Sequence, residues 1–150
     1  MSIADALQKQ VFFVSVLVAW LTAQTLKVIL GIITEKRFNF KWFVGTGGMP
    51  SSHAAVASGM AAAMGLSCGF DSPLFGLALL FAIIVISDAQ GVRRASGKQA
   101  EILNKILDDI YWKKKIQEDR LKELLGHTPF QIIVGVAIGI SVVLLFYWKF

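Results

Sequence analysis

The two histidines of the chain lie in similar surroundings, each at the start of an apolar segment. His53 ends the run Gly47-Gly48-Met49-Pro50-Ser51-Ser52-His53, and His127 lies in the run Gly126-His127-Thr128-Pro129. An imidazole can act as a nucleophile or as a proton donor near neutral pH. Two histidines in such matched positions favour a shared chemical role over two unrelated polar residues at an interface.

The glycine- and serine-rich run before His53 has the composition of an anion-binding turn. Gly47 and Gly48 allow the backbone to turn its N–H groups inward, and a proline suits the first position of a helix. Ser51, Ser52 and the free amides at the start of that helix would then face a phosphate group. The alternative is a plain turn in which a serine caps the helix.

Charged residues lie near the ends of two other apolar segments. Arg93 and Arg94 offer planar forks for phosphate oxygens, unless they only anchor the chain at lipid headgroups. Asp88 lies at the edge of an apolar segment, where it would pair with an arginine or hold a divalent metal ion. Lys27 follows Gln24 by one helical turn, and its ammonium either reaches the membrane interface or meets the same anion.

The composition indicates the setting in which these residues act. Of 150 residues, 55% are hydrophobic and 17% are charged, against about 45–50% and 25% in ordinary soluble domains. The mean hydropathy is +0.63, and the apolar residues lie in long runs, which excludes a disordered chain. We therefore predict one integral membrane domain over residues 1–150. The single cysteine, Cys68, excludes an intramolecular disulfide and a multi-cysteine zinc site.

The apolar runs predict an all-α, polytopic membrane helix bundle. Each run approaches the length of about 20 residues that crosses the hydrocarbon core. After the third run, isoleucines recur every four residues and predict an amphipathic cytoplasmic helix before the last span. Gly135 and Gly139 form a G-x-x-x-G pattern for close helix contact, within one chain or between subunits. The four predicted spans are about Val11–Ile33, Pro50–Gly69, Pro73–Ser87 and Pro129–Trp148.

The distribution of basic residues predicts the orientation. The loop after the first span carries three Lys or Arg residues and the loop after the third carries nine, against Lys9 and Lys149 on the other side. This bias places both loops in the cytoplasm and both termini outside, in the inner or plasma membrane of the cell. The first ten residues lack the pattern of a cleaved signal peptide, so we expect the first run to stay as an anchor.

Five blocks of the sequence, in order, resemble a known family. Together they look like the divergent branch of the type 2 phosphatidic acid phosphatase superfamily, whose members are often described as related to acid phosphatases or vanadium-dependent haloperoxidases. The blocks are Ala23-Gln24-x-x-Lys27, Gly47-Gly48-Met49-Pro50-Ser51-Ser52-His53, Asp88-Ala89-x-Gly91-Val92-Arg93-Arg94, Gly97-x-Gln99-Ala100-x-x-Leu103-Asn104 and Leu125-Gly126-His127-Thr128-Pro129.

The resemblance implies a phosphatase that hydrolyses a phospholipid phosphate monoester through a phosphohistidine, without a metal. By this resemblance His127 is the candidate nucleophile and His53 the candidate general acid. Lys27, Arg93 and Arg94 are then the phosphate ligands, which suits the charge on a transferring phosphoryl group. The substrate would be similar to phosphatidylglycerophosphate or phosphatidic acid, at the cytoplasmic leaflet.

Two positions depart from the superfamily pattern. Gln131 occupies the place of the acid that orients the nucleophilic histidine. A glutamine can hold an imidazole by a hydrogen bond but cannot stabilise an imidazolium by charge, which argues against efficient catalysis. Leu121 occupies the place of an arginine, so Arg93 or Arg94 must act instead. Four spans rather than six leave open whether a homodimer completes the site.

Three alternatives to this interpretation differ in chemistry. A divalent-metal phosphatase would use Asp88, with Mg²⁺ as its cofactor, to activate water. A non-enzymatic membrane protein would bind or transport an anion with Lys27, Arg93 and Arg94. Binding of nucleic acid to the basic loop is not expected, because the loop lacks a recognised module and interleaved aromatic residues.

Overall fold

A computed structural model describes residues 3–36, 48–111 and 127–149 of the chain. Within these ranges the chain forms α-helices and no strand, which confirms the all-α prediction. A helix is also present where the amphipathic one was predicted, directly after the third apolar run. The helices are α1 (Ile3–Glu35), α2 (Ser52–Cys68), α3 (Pro73–Gln90), α4 (Val92–Tyr111) and α5 (Pro129–Lys149).

Helix α2 forms the centre of the bundle and packs against α1, α3 and α5. Its buried positions are almost all Ala, Gly or Ser, and such small residues let neighbouring backbones approach closely. On the side towards α3, Ala57 and Ala61 of α2 form an apolar cluster with Ala78 and Ala82. Most of the exposed large apolar side chains lie on α1, α3 and α5.

The closest helix contact is between α2 and α5. A Cβ atom at Gly139 would overlap the carbonyl oxygen of Ala55, and one at Gly135 would overlap the carbonyl oxygen of Ser51. The hydroxyl of Ser58 also lies 3.4 Å from the carbonyl oxygen of Val136, across the same contact. The G-x-x-x-G pattern therefore serves packing within one chain.

Three helical stretches are long and apolar enough to cross a membrane, among the residues that the structure describes. They are Gln10–Glu35, Pro73–Leu107 and Pro129–Lys149. The third predicted run is short and needs its flanks to complete a crossing, and the structure supplies a flank, because α3 continues to Gln90 and the helical path resumes at Val92. Helix α2 occupies the second predicted span with 17 residues, about 25 Å at 1.5 Å per residue. A count of four spans stays a prediction.

The outer surface of the bundle suits a lipid environment. Ile33 on α1, Leu77 and Ile84 on α3 and Ile133 on α5 are each between 64% and 67% exposed. Contiguous apolar surface of this kind is rare on soluble monomers. The helical backbone satisfies its own hydrogen bonds, as a lipid-facing segment requires.

The α2–α5 contact predicts a large cost for one added methyl group. We expect Gly139→Ala to lower the free energy of unfolding by about 1–3 kcal/mol, because the helices must separate to admit it. Gly76→Ala on α3 is the control, because nothing lies within 4 Å of a Cβ built there, and it should be neutral or stabilising. Thermal unfolding in detergent, followed by circular dichroism, measures both. Equal melting temperatures for the two variants would contradict this account of the contact.

Candidate active site

The predicted site residues that the structure describes collect at one end of the bundle. The C-terminal ends of α1 and α3 meet the N-terminal ends of α2 and α5 there. Two backbone hydrogen bonds tie these ends together. The amide of Ser51 donates to the carbonyl of Gln131 at 3.1 Å, and the amide of His127 donates to the carbonyl of Ala89 at 3.1 Å.

These bonds bring the two histidines together, although 74 positions separate them in the chain. The ring centroids of His53 and His127 lie 6.3 Å apart, with 52° between the ring planes. His127 is 2% exposed, and His53 is half-buried with its Nδ1 atom buried. The two imidazoles are thus close enough to act on one small group between them.

Gln131 joins the start of α5 to the His127 ring. Its Oε1 atom accepts a hydrogen bond from the Thr128 amide at 2.9 Å, and the Gln131 amide donates to the Thr128 hydroxyl at 3.4 Å. This reciprocal pair is a capping box at the helix N-terminus. The same Oε1 atom lies 3.4 Å from Nδ1 of His127. Gln131 therefore stabilises the helix start and contacts the histidine at once.

The capping box also bears on which ring nitrogen of neutral His127 carries the proton. The atom that faces the Thr128 N–H must be an acceptor, so it is the oxygen of the Gln131 amide and not the nitrogen. Since this oxygen also lies 3.4 Å from Nδ1 of His127, the contact favours the neutral tautomer that carries its proton on Nδ1. The lone pair then lies on Nε2 of His127, where a nucleophile or a proton acceptor needs it.

Lys27 supplies a buried positive charge beside the histidine-bearing end of α2. Its side chain is 5% exposed, and its Nζ atom donates to Oε1 of Gln24 at 3.2 Å and to Oγ of Ser52 at 3.0 Å. Both acceptors are neutral, and no carboxylate contacts Lys27 within the described ranges. The ammonium is turned into the bundle, towards the start of α2. An anion bound there would compensate a charge that is costly to bury.

The turn before α2 packs on the stem of Lys27. Gly48 has a φ of +80°, and a Cβ added there would lie 3.4 Å from Cγ of Lys27. Ser51 is fully buried and its hydroxyl accepts from the Ala54 amide at 3.3 Å, so it caps α2, as the alternative interpretation of this run predicted. Gly47 lies outside the described residues.

The two arginines and Asp88 belong to the junction of α3 and α4. The backbones of Arg93 and Arg94 lie in the first turn of α4, four and five residues after Ala89 in the chain, but their side chains lie outside the description. Asp88 is half-buried near the end of α3. Among the described residues, no group of three His, Cys, Asp or Glu side chains is arranged to hold a metal ion.

Two contacts of the site were not assigned by the sequence analysis. Gln24 accepts a hydrogen bond from Lys27, and its spacing of three residues from Lys27 within an apolar helix was the available signal. The Ala89 carbonyl, which holds the His127 backbone, carried no signal, because a backbone acceptor is independent of residue type.

The capping box predicts distinct effects for two substitutions at position 131. Gln131→Ala removes the acceptor for both the Thr128 amide and the His127 ring, so it should cost about 1 kcal/mol of stability and mix the two His127 tautomers. Gln131→Glu is the matched control, because glutamate also serves at this capping-box position. Nitrogen-15 NMR of labelled histidine measures the tautomers. A parent protein whose neutral His127 carries its proton on Nε2 would refute the assignment.

Comparison with known proteins identifies the family of the chain. The profile of the divergent PAP2 family matches residues 7–142. The chain is 35% identical over 147 residues to "Uncharacterized membrane protein YuiD" of Bacillus subtilis (strain 168), a match that covers 91% of this chain and 93% of that protein. No solved structure shows a significant match. The chain is therefore a membrane protein that belongs to the divergent PAP2 family.

Proposed function

We propose that the protein is a phosphatase that hydrolyses a lipid phosphate monoester at the cytoplasmic leaflet. The observation that carries the proposal is the approach of His53 and His127, with ring centroids 6.3 Å apart, at the end of the bundle that holds Lys27. Membership of the divergent PAP2 family supports a phosphatase-related function. The substrate class is a phospholipid monophosphate similar to phosphatidylglycerophosphate or phosphatidic acid.

The proposed reaction has two steps and needs no metal. Nε2 of His127 attacks the phosphorus atom, so that a P–N bond forms while the P–O bond to the lipid alcohol breaks. His53, in its protonated form, gives a proton to the departing oxygen. In the second step the now neutral His53 takes a proton from water, which attacks the phosphohistidine. Inorganic phosphate leaves and His127 is restored.

Positive charge and helix geometry stabilise the transferring phosphoryl group. The ammonium of Lys27 is fixed in place by Gln24 and Ser52, so it needs little reorganisation when charge develops. The N-terminus of α2 contributes the positive end of its dipole on the same side. Arg93 and Arg94 are the proposed further ligands, by their sequence positions at the start of α4.

Gln131 sets the expected limit on the rate. Its amide oxygen orients the His127 ring and accepts from Nδ1, but it supplies only a dipole where a carboxylate would supply a full charge. The imidazole becomes positively charged when its Nε2 bonds to phosphorus. We therefore expect turnover that is slow compared with that of phosphatases that have an acid at this position.

A second candidate function follows from the same observation about Gln131. A site with a buried cation and a weakly supported nucleophile is also suited to holding an anion without cleaving it. In that case the protein would bind or transport a phosphate-bearing molecule. Reconstituted vesicles separate the two functions, because transport gives flux without release of inorganic phosphate.

Loss of the His127 imidazole should abolish phosphate release. For His127→Ala in purified protein we expect a fall in kcat on the order of 10³-fold or more on phosphatidic acid or phosphatidylglycerophosphate. His53→Ala should lower kcat by about 10²- to 10⁴-fold. The same assay with a metal chelator tests the alternative in which Asp88 holds a divalent metal ion. The proposed mechanism predicts that the chelator leaves kcat unchanged.

The control for these variants is Lys105→Ala. Lys105 lies on α4 in an exposed ion pair with Glu101 at 2.8 Å, so its removal should leave kcat unchanged. Circular dichroism and gel filtration verify that each variant is folded. Full activity of folded His127→Ala would eliminate the role given to His127, and loss of activity with chelator would favour the metal-dependent enzyme.

A further inference from the structure

An apolar cleft runs along the bundle from the candidate site. It lies between α1, α2 and α3 and has a volume of about 660 Å³. Phe12 and Trp20 of α1, Met60 of α2 and Phe81 of α3 line it, together with other apolar side chains. Cavities of this size and composition are typical of sites for small apolar ligands.

The polar residues of the cleft lie where it meets the site. Ser52 and His53 line the cleft, whereas its other lining residues are apolar or aromatic. Ser52 is also the residue that accepts a hydrogen bond from Lys27. The cleft is therefore continuous with the site, with the cation and imidazole at one end and hydrocarbon side chains along the rest.

The positions of the lining residues give the cleft its length. Met60 follows His53 by seven residues of α2, about 10 Å along the helix axis. On α1 the lining residues run from Phe12 to Trp20, eight residues or about 12 Å along that axis. A molecule that fills this cleft with one end at the site must be long, narrow and apolar, with a negatively charged or hydrogen-bonding end group.

We propose that the cleft binds one acyl chain of the lipid whose phosphate is held at His53 and His127. This inference rests on the proposed function and specifies its substrate as a lipid phosphate with a long hydrocarbon chain. In a bilayer the chain is already in an apolar medium, so the cleft gains little from burial alone. Its contribution is to position the phosphate relative to the Nε2 atom of His127.

If the cleft positions the acyl chain, blocking it should slow the hydrolysis of substrates with long chains and leave the hydrolysis of substrates without a chain unchanged. Met60→Trp places a larger side chain within the cleft. We expect it to lower kcat/KM for dioleoyl phosphatidic acid by about tenfold or more, because misplacement of the phosphate slows its transfer. Hydrolysis of p-nitrophenyl phosphate, which has no chain, should stay within about twofold of the parent.

Two further variants make this experiment decisive. Ile133→Trp is the matched control, because Ile133 follows His127 by six residues on α5, is 64% exposed and lies outside the cleft. It should leave both activities unchanged. Leu17→Trp alters the cleft at a residue that is 55% exposed, so it should fold if Met60→Trp does not. Equal effects on both substrates, or no effect of either cleft variant, would overturn the proposal.

A binding measurement separates this inference from the failure of the proposed function. Phosphatidic acid with a diazirine on its acyl chain, in phosphatidylcholine vesicles, should label the cleft-lining residues of α1 and α2 on irradiation. Unlabelled phosphatidic acid should compete, and added phosphatidylcholine should not. If the parent hydrolyses neither substrate but this labelling is found, the phosphatase proposal fails and the lipid site stands. Labelling spread evenly over the outer helix faces, or cleft labelling unaffected by competitor, would reject the lipid site.

Discussion

The close approach of α2 and α5 is the constraint on which the arrangement of the site depends. Because Gly135 and Gly139 have no side chains, the backbone of α5 lies against that of α2. This contact lets the Ser51 amide reach the Gln131 carbonyl, and the segments that carry the two histidines are then neighbours. A bulkier interface would move one imidazole away from the other, whatever their own chemistry.

The site also has a buried positive charge beside the histidine-bearing end of α2. Lys27 is buried against the neutral oxygens of Gln24 and Ser52, so an incoming anion would meet a charge that the described residues leave uncompensated. The capping box of Thr128 and Gln131 places an amide oxygen 3.4 Å from Nδ1 of His127, which favours the neutral tautomer with its proton on that atom. The contacts that hold the helix ends together therefore also place the two imidazoles near each other, and the apolar cleft begins at Ser52 and His53.

Much of this organisation could be predicted from the sequence, because the apolar runs, the glycine spacing and the matched histidine motifs are local patterns. The bond from Lys27 to Ser52 joins residues 25 positions apart, and only the folded chain decides whether a lysine in such a helix turns inward. The third apolar run ends where the hydropathy falls at Asp88, and the helix itself continues to Gln90, so hydropathy alone does not locate the helix end. Gln131 was interpreted as a replacement for an acid that still holds the imidazole by a hydrogen bond. Its capping box with Thr128 was not predicted, although Thr-x-x-Gln before an apolar run is a sequence signature of one.

The proposed mechanism requires a covalent bond between His127 and the phosphoryl group. Rapid mixing of the protein with phosphatidic acid labelled with phosphorus-32 at its phosphate, followed by an alkaline quench, tests this most directly. We expect transient phosphorus-32 on the peptide that contains His127. This label should be stable in base and released in acid, and it should be missing from the His127→Ala variant. Steady release of inorganic phosphate with no label on the protein at any time, or with label on another residue, would contradict it.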